Sequence, residues 1–324
     1  MTRLSTYFLA CALAAVANHA TAAEKASFQL SWKAEAEHGG YYDALVKGYY
    51  SECGVDMTIR QGAPGIDPAQ LLAGGAVDFA LLPFIDTVLQ LNQAGFQARA
   101  VLGTFQRTAQ IFMTHADDGI NSPQDMRGKP IMISAIGRTT FWPFFRDKFG
   151  WSDSQLRAYS GQLATFYADK NAIQQAFITN EPYLVKNRTG ETPKTFLFAD
   201  YGYLTYGSMV ATSQAMIDHK PKVVACVVQA SVKGWKEFLA DPKPAFAVIK
   251  KEDPENTDGR LTYAYNAIKN YHLVETRETE KAGFGSMTEA RWKAHYEMLV
   301  AEHLLKPMDY KSTINMQFLP GPGH

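Results

Sequence analysis

FQLSWKAEAEHGGYYDALVKGYYSECGVDMTIR, residues 28–60, passes from a strand to a helix and back to a strand. Phe28 to Trp32 reads as the first strand, Tyr41 to Glu52 as the helix and Val55 to Arg60 as the second strand. DPAQLLAGG follows, with Asp67 as N-cap, Pro68 in the first helical position and Gly74 and Gly75 as the stop. A third, largely apolar strand, VDFALLP, completes the unit. Such units form parallel pairs with right-handed crossovers, which gathers the strand-to-helix loops on one edge of the sheet. Ligands of open α/β sheets bind at that edge.

The alternation continues. Phe84 to Ala94 predicts a helix, and ARAVLGTF and QIFMTH predict two strands. IMISA (131–135) opens a second α/β series, followed by IGRTT and the aromatic helix FWPFFRDKFG. Proline fits only the first turn of a helix, so Thr139 or Thr140 is the expected cap ahead of Pro143. AIQQAFITNEPYLVK and KTFLFADYGYLTYGSMVAT add a strand, a helix and two strands, and from Pro221 onward every segment reads as helical. The pattern predicts an α/β protein of two lobes, 24–113 with 209–324 and 114–208, with a ligand cleft between them. The chain is expected to cross between lobes near Met113–His115 and near Ser208–Thr212, forming a two-strand hinge.

The first residues carry a basic start at Arg3, an apolar stretch from Leu4 to Ala17, and small residues at Ala20 and Ala22. They predict a signal peptide over 1–23, cleaved after Ala22 or Ala23, and hence a periplasmic protein. Leu9, Ala10 and Cys11 leave lipoprotein processing as the alternative. With 32 basic against 32 acidic residues, no bulk charge attracts nucleic acid or an anionic membrane. Cys53 and Cys226 are too few for a disulfide-built scaffold and are expected as two separate, partly buried thiols.

Trp32, His38, Gly40, Tyr42 and Ala44 follow a spacing that resembles the signature of periplasmic substrate-binding proteins of ABC transporters. The branch is the one for the pyrimidine precursor of thiamine (NMT1/THI5-like, SsuA-related), in a wider group with alkanesulfonate and nitrate binders. GYY at 48–50, GVDMTI, LLAGGAVDFAL, DMRGKPIMI, TNEPY at 179–183 and DYGYLTYGSMVAT follow in family order, covering most of the mature chain. The sequence departs from the family pattern at Ala34, Glu35 and Glu37, where the family carries proline and asparagines. The resemblance implies the type II periplasmic-binding fold, a small-molecule ligand, a membrane permease as partner, a monomer, and no cofactor, metal or catalytic residue.

Individual residues support that reading, each beside a plainer role. Trp32 and Tyr42 offer flat faces to a planar ring, or serve the core. His38 orients a ligand or caps the next helix; Glu35 and Glu37 accept hydrogen bonds from amino groups or form a solvated loop, with one of them expected to touch ligand. Gly39 and Gly40 let the backbone approach a ligand closely. Gly62, Pro83 and Phe84 lie at the ends of the second and third strands. Gly137, Arg138 and Thr139 put N–H groups, a hydroxyl and a cation at a helix start, with a surface role open for Arg138. Glu181 matches an acidic family position and holds an exocyclic amine or caps a helix; Tyr206 matches a family tyrosine. The competing classes are a pyrimidine-precursor synthase-like enzyme, a binder of a sulfonate or aromatic acid, and a sensory or scaffold protein. Walker, GxSxG and HExxH motifs are absent from the sequence, as is the synthase cysteine cluster.

Overall fold

The computed structural model describes residues 22–159 and 161–321, so the expected leader lies almost wholly outside the described residues. Ten strands are described: β1 Glu24–Gln29, β2 Val55–Arg60, β3 Phe79–Phe84, β4 Ala98–Phe105, β5 Gln110–Thr114, β6 Ile131–Ile133, β7 Leu156–Ala158, β8 Ile173–Phe177, β9 Lys194–Leu197 and β10 Gly207–Ser213. They form two five-stranded sheets, ordered β2-β1-β3-β10-β4 and β7-β6-β8-β5-β9. β1 runs parallel to both β2 and β3, as the opening strand–helix–strand pattern requires. β10 is antiparallel to β3 and β4, and β5 is antiparallel to β8 and β9, so both sheets are mixed.

Alternation on β3 shows how the first sheet is buried. Phe79 and Leu81 join a core with Phe28, Tyr41 and Trp235, while Ala80 and Leu82 join Val88, Met209 and Trp292 on the opposite face. The second sheet packs Phe112 into an aromatic cluster with Phe141, Phe145, Trp151 and Phe198. Two bodies, each with its own sheet, meet the expectation of two lobes.

Several local expectations shift. The first strand is Glu24–Gln29 and not Phe28–Trp32, so Trp32 lies in the turn beyond it, and the predicted helix from Tyr41 to Glu52 is two helices, Gly39–Val46 and Tyr49–Glu52, parted at Gly48 with φ 76°. Asp67 caps its helix as expected, accepting from the N–H groups of Ala69 and Gln70. The chain changes sheet between Phe105 and Gln110, and returns between Leu197 and Gly207. Both changes precede the expected Met113–His115 and Ser208–Thr212, because Gln110–Thr114 pairs within the second sheet and Gly207–Ser213 within the first.

The expectation of two free thiols is corrected: Cys53 and Cys226 form a disulfide, with Cα atoms 5.7 Å apart. Its cause is the packing of Tyr49–Glu52 against the long helix Pro221–Ala240, where Tyr50 also bonds Ser231 at 3.0 Å. Local sequence gives no sign of a pairing across 173 residues.

Candidate functional site

After β1 the chain turns through Ser31–Glu35 into a 3-10 turn, Ala36–His38, which leads into the helix Gly39–Val46. Ala34 and Ala36 are buried, anchoring the turn, whereas Trp32 remains 40% exposed. Lys33 pairs with Glu255 at 2.9 Å on the rim. Glu37 points the other way, into the second lobe: it accepts a hydrogen bond from Thr179 Oγ1, in the loop after β8. The neighbouring Asn180 accepts from Arg260 Nε at 3.1 Å, a second contact between the lobes. Asn256, two residues before the helix Asp258–Asn270 that carries Arg260, donates to Ala34 O at 2.8 Å and ties this helix to the turn.

Glu181 opens the helix Glu181–Thr189 and folds back, accepting from Phe177 N at 2.8 Å and from the Tyr159 hydroxyl at 3.3 Å. It ties the end of β8 rather than capping the helix, whose N-cap is Asn180, and its carboxyl still faces Glu35, Glu37 and Arg260. Desolvation raises all three carboxyls above their ordinary range: Glu35 well above, with Glu37 as the next cause, Glu37 to about 7, and Glu181 by burial. The Thr179 hydrogen bond and the Arg260 charge act against the rise at Glu37. Three carboxyls around one guanidinium make a buried site rich in acceptors, able to hold N–H donors or a proton. The space enclosed there is only about 10 Å³. Asn180 also lines an open cavity of about 790 Å³ between residues 161–168 and the helix Glu181–Thr189, floored by Leu163 and Leu184. Among the described residues no group of three His, Cys, Asp or Glu is placed to hold a metal ion.

The other expected residues occupy different surroundings. His38 is 1% exposed, with Nε2 3.4 Å from Ser31 Oγ and Nδ1 unpartnered; burial lowers its pKa to about 4. Tyr42 is buried in the first-lobe core, its hydroxyl unpartnered and its pKa raised by desolvation. Gly40 serves helix packing: a Cβ there would lie 2.2 Å from the Trp235 ring, and one on Gly234 would lie 2.2 Å from Gly40 O. Gly62 closes on the Trp32 turn through Gly62 N to Trp32 O at 2.8 Å. Pro83 is half-buried and Phe84 buried at the end of β3. Gly137 is covered by Phe141, while Arg138 and Thr139 are exposed. The helix start expected at 136–140 is a short helix, Ala135–Arg138, capped by Ser134, whose Oγ accepts from Gly137 N. Tyr206 lies in the other core of the first lobe, its hydroxyl accepting from Thr288 N at 2.8 Å and its ring under Arg291. The cluster thus unites Glu35, Glu37 and Glu181 from the expected set, adds Thr179, Asn180, Asn256 and Arg260, and leaves His38, Tyr42 and Tyr206 in packed interiors. Sequence reasoning missed Arg260 because DGR at the start of a surface-patterned helix carries no local mark of a distant acidic turn; TNEPY was the signal for Thr179 and Asn180.

A family model described as NMT1/THI5 like matches residues 35–245. The riboflavin-binding protein RibY of Chloroflexus aurantiacus is 24% identical over 307 residues, 92% of this chain and 87% of RibY. The formylaminopyrimidine-binding protein of Halalkalibacterium halodurans is 24% identical over 313 residues, 94% of this chain and 93% of that protein. Among solved structures, the periplasmic aliphatic sulphonate binding protein SsuA from Escherichia coli superposes with a TM-score of 0.66 at 12% identity, over 92% of this chain and 94% of SsuA. That likeness establishes the periplasmic-binding fold.

Proposed function

Because the chain belongs to the NMT1/THI5-like family, we propose that it is an extracytoplasmic solute-binding protein that captures a small planar nitrogen heterocycle between its two lobes. The proposed lobes follow sheet membership, with the C-terminal helices on the first. The observation that carries the reading is the polar bridge of Glu37 to Thr179 and Arg260 to Asn180, from a turn and a helix of the first lobe to the loop after β8. A ligand that joins both halves favours the shut arrangement by as much as its differential contacts supply. Trp32, exposed beside the turn, offers it an apolar face. The relatives that match over most of their length are named for binding riboflavin and formylaminopyrimidine, two nitrogen heterocycles, which supports this ligand class. Delivery to an ABC-type permease completes the proposed role, with the protein exported and monomeric.

Calorimetry of the purified mature protein against riboflavin and a panel of 4-aminopyrimidines tests the reading. Reversible one-to-one binding of a panel member is expected. Turnover of the bound compound, or an absorbance band from a lysine–pyridoxal adduct, would instead favour the synthase-like reading.

A further inference from the structure

Asn256 is 4% exposed, and its Nδ2 is spent on Ala34 O and Asp253 O, at 2.8 and 3.2 Å. Its Oδ1 has no partner, although it borders the same small space as Glu35 and Glu37. A buried acceptor left unpaired is costly, so one beside two carboxyls marks a place shaped for a donor. The charges point the same way. Glu35 and Glu37 from the turn and Glu181 from the second lobe face a single guanidinium, Arg260, while Asp253, just past the helix Lys243–Glu252, adds a carboxylate beside Glu35 and Lys33. Tyr159 and Tyr263 add neutral hydroxyls near Glu181, and Lys33 is engaged with Glu255 on the rim. Burial and mutual repulsion favour the protonated form among Glu35, Glu37 and Glu181 beside one guanidinium, so the cluster has a proton to give up.

We propose that this interlobe cluster is the subsite for a cationic, hydrogen-bond-donating group of the ligand, of the amidinium or protonated amine class, and that it takes this group in exchange for a proton. The inference rests on the binding reading above and deepens it. The exchange balances: the ligand's N–H donors replace the proton on the Glu35–Glu37 pair and the Thr179 hydroxyl on Glu37, and the displaced proton passes to buffer. The roughly 10 Å³ enclosed now admits at most one water-sized group, so the Glu37–Thr179 contact has to open for the cation to enter. The ring behind that group then lies toward the cavity that Asn180 shares.

Benzamidine, benzamide and benzoate form a near-isosteric cation, neutral and anion set on one planar ring. Calorimetry with the full-length mature protein, in two buffers of different ionisation enthalpy, reads both affinity and proton exchange. Benzamidine is expected to bind at least about tenfold tighter than benzoate and to release about one proton to buffer. Glu37→Gln and Glu35→Gln should reduce that release and weaken benzamidine about tenfold or more, a larger loss than either causes for benzamide. Benzoate binding as tightly as benzamidine, benzamidine binding without proton release, or no binding by any of the three would overturn the subsite. Thermal melts of each variant confirm folding. Riboflavin or an aminopyrimidine, titrated in parallel, keeps the two claims apart: its binding with no preference for benzamidine removes the cation subsite and leaves the binding protein standing.

Discussion

Glu37 and His38 are adjacent, both buried, and displaced in opposite directions. Glu37 titrates near 7 in the fold, above its ordinary 4.5, so its contribution to stability is complete below pH 4.5 and is lost as pH rises through 7. His38 titrates near 4, below its ordinary 6.5, so its contribution is complete above pH 6.5 and is lost as pH falls toward 4. Between 4.5 and 6.5 the two slopes oppose each other. Relative to the parent, Glu37→Gln should therefore make the slope of unfolding free energy against pH more positive by about 1.4 kcal/mol per pH unit in that window. His38→Gln should make it more negative by a similar amount. Denaturant titrations at pH 5, 5.5 and 6 check both signs, and two parallel unshifted lines would contradict them. Trp32 makes a different kind of prediction. With 40% of its surface open, Trp32→Ala should weaken ligand binding by about 2 kcal/mol, roughly 30-fold, and change the melting temperature little. Equal damage to both would place the indole in the core. At this scale the sequence revealed the acidic turn but not which side chains face out. Trp32 is exposed past the strand end, and Glu37, buried like His38, is held by Thr179, whereas His38 and Tyr42 are drawn into packed surroundings that only the folded chain contains.

Two helices that approach through glycine explain why GG at 39–40 and G at 234 look like signals and act as spacers. Gly39–Val46 and Pro221–Ala240 lie so close that a Cβ on Gly234 would meet Gly40 O at 2.2 Å. Gly234→Ala should cost roughly 1–3 kcal/mol or more through forced separation of the helices, read as a lower denaturation midpoint with binding retained in the folded fraction. The disulfide ties the same long helix to the next short one, Tyr49–Glu52. Removing it, by reduction or as Cys53→Ser with Cys226→Ser, should cost about 2–5 kcal/mol, measured by denaturant unfolding with and without reductant. Unchanged stability on reduction would mean that the bridge adds nothing to the packing around it. ARAVLGTF matches β4 residue for residue, because a strand buried on both faces is largely apolar, its Arg99 being held by Gln214 and Asn92. The break at Gly48 was not legible, since helical spacing runs on through a residue whose left-handed backbone ends the helix.

Across the whole molecule, the order of strands was readable from the alternation of segments, and the place where the chain changes sheet was not. QIFMT is as apolar as ARAVLGTF, so composition cannot say that one belongs to the second sheet and the other to the first; pairing with β8 and β9 decides it. The same holds for the bridge between lobes. Glu37 and Thr179 are 142 residues apart and meet only because two sheets present their loop edges to each other. Closure of these lobes over a ligand is the claim on which the functional account depends. Small-angle scattering of the mature protein, with and without the tightest-binding heterocycle of the calorimetric panel, measures it directly. A smaller radius of gyration is expected with ligand, and loss of that change in Glu37→Gln with Arg260→Gln; an identical scattering profile at saturating ligand would rule closure out.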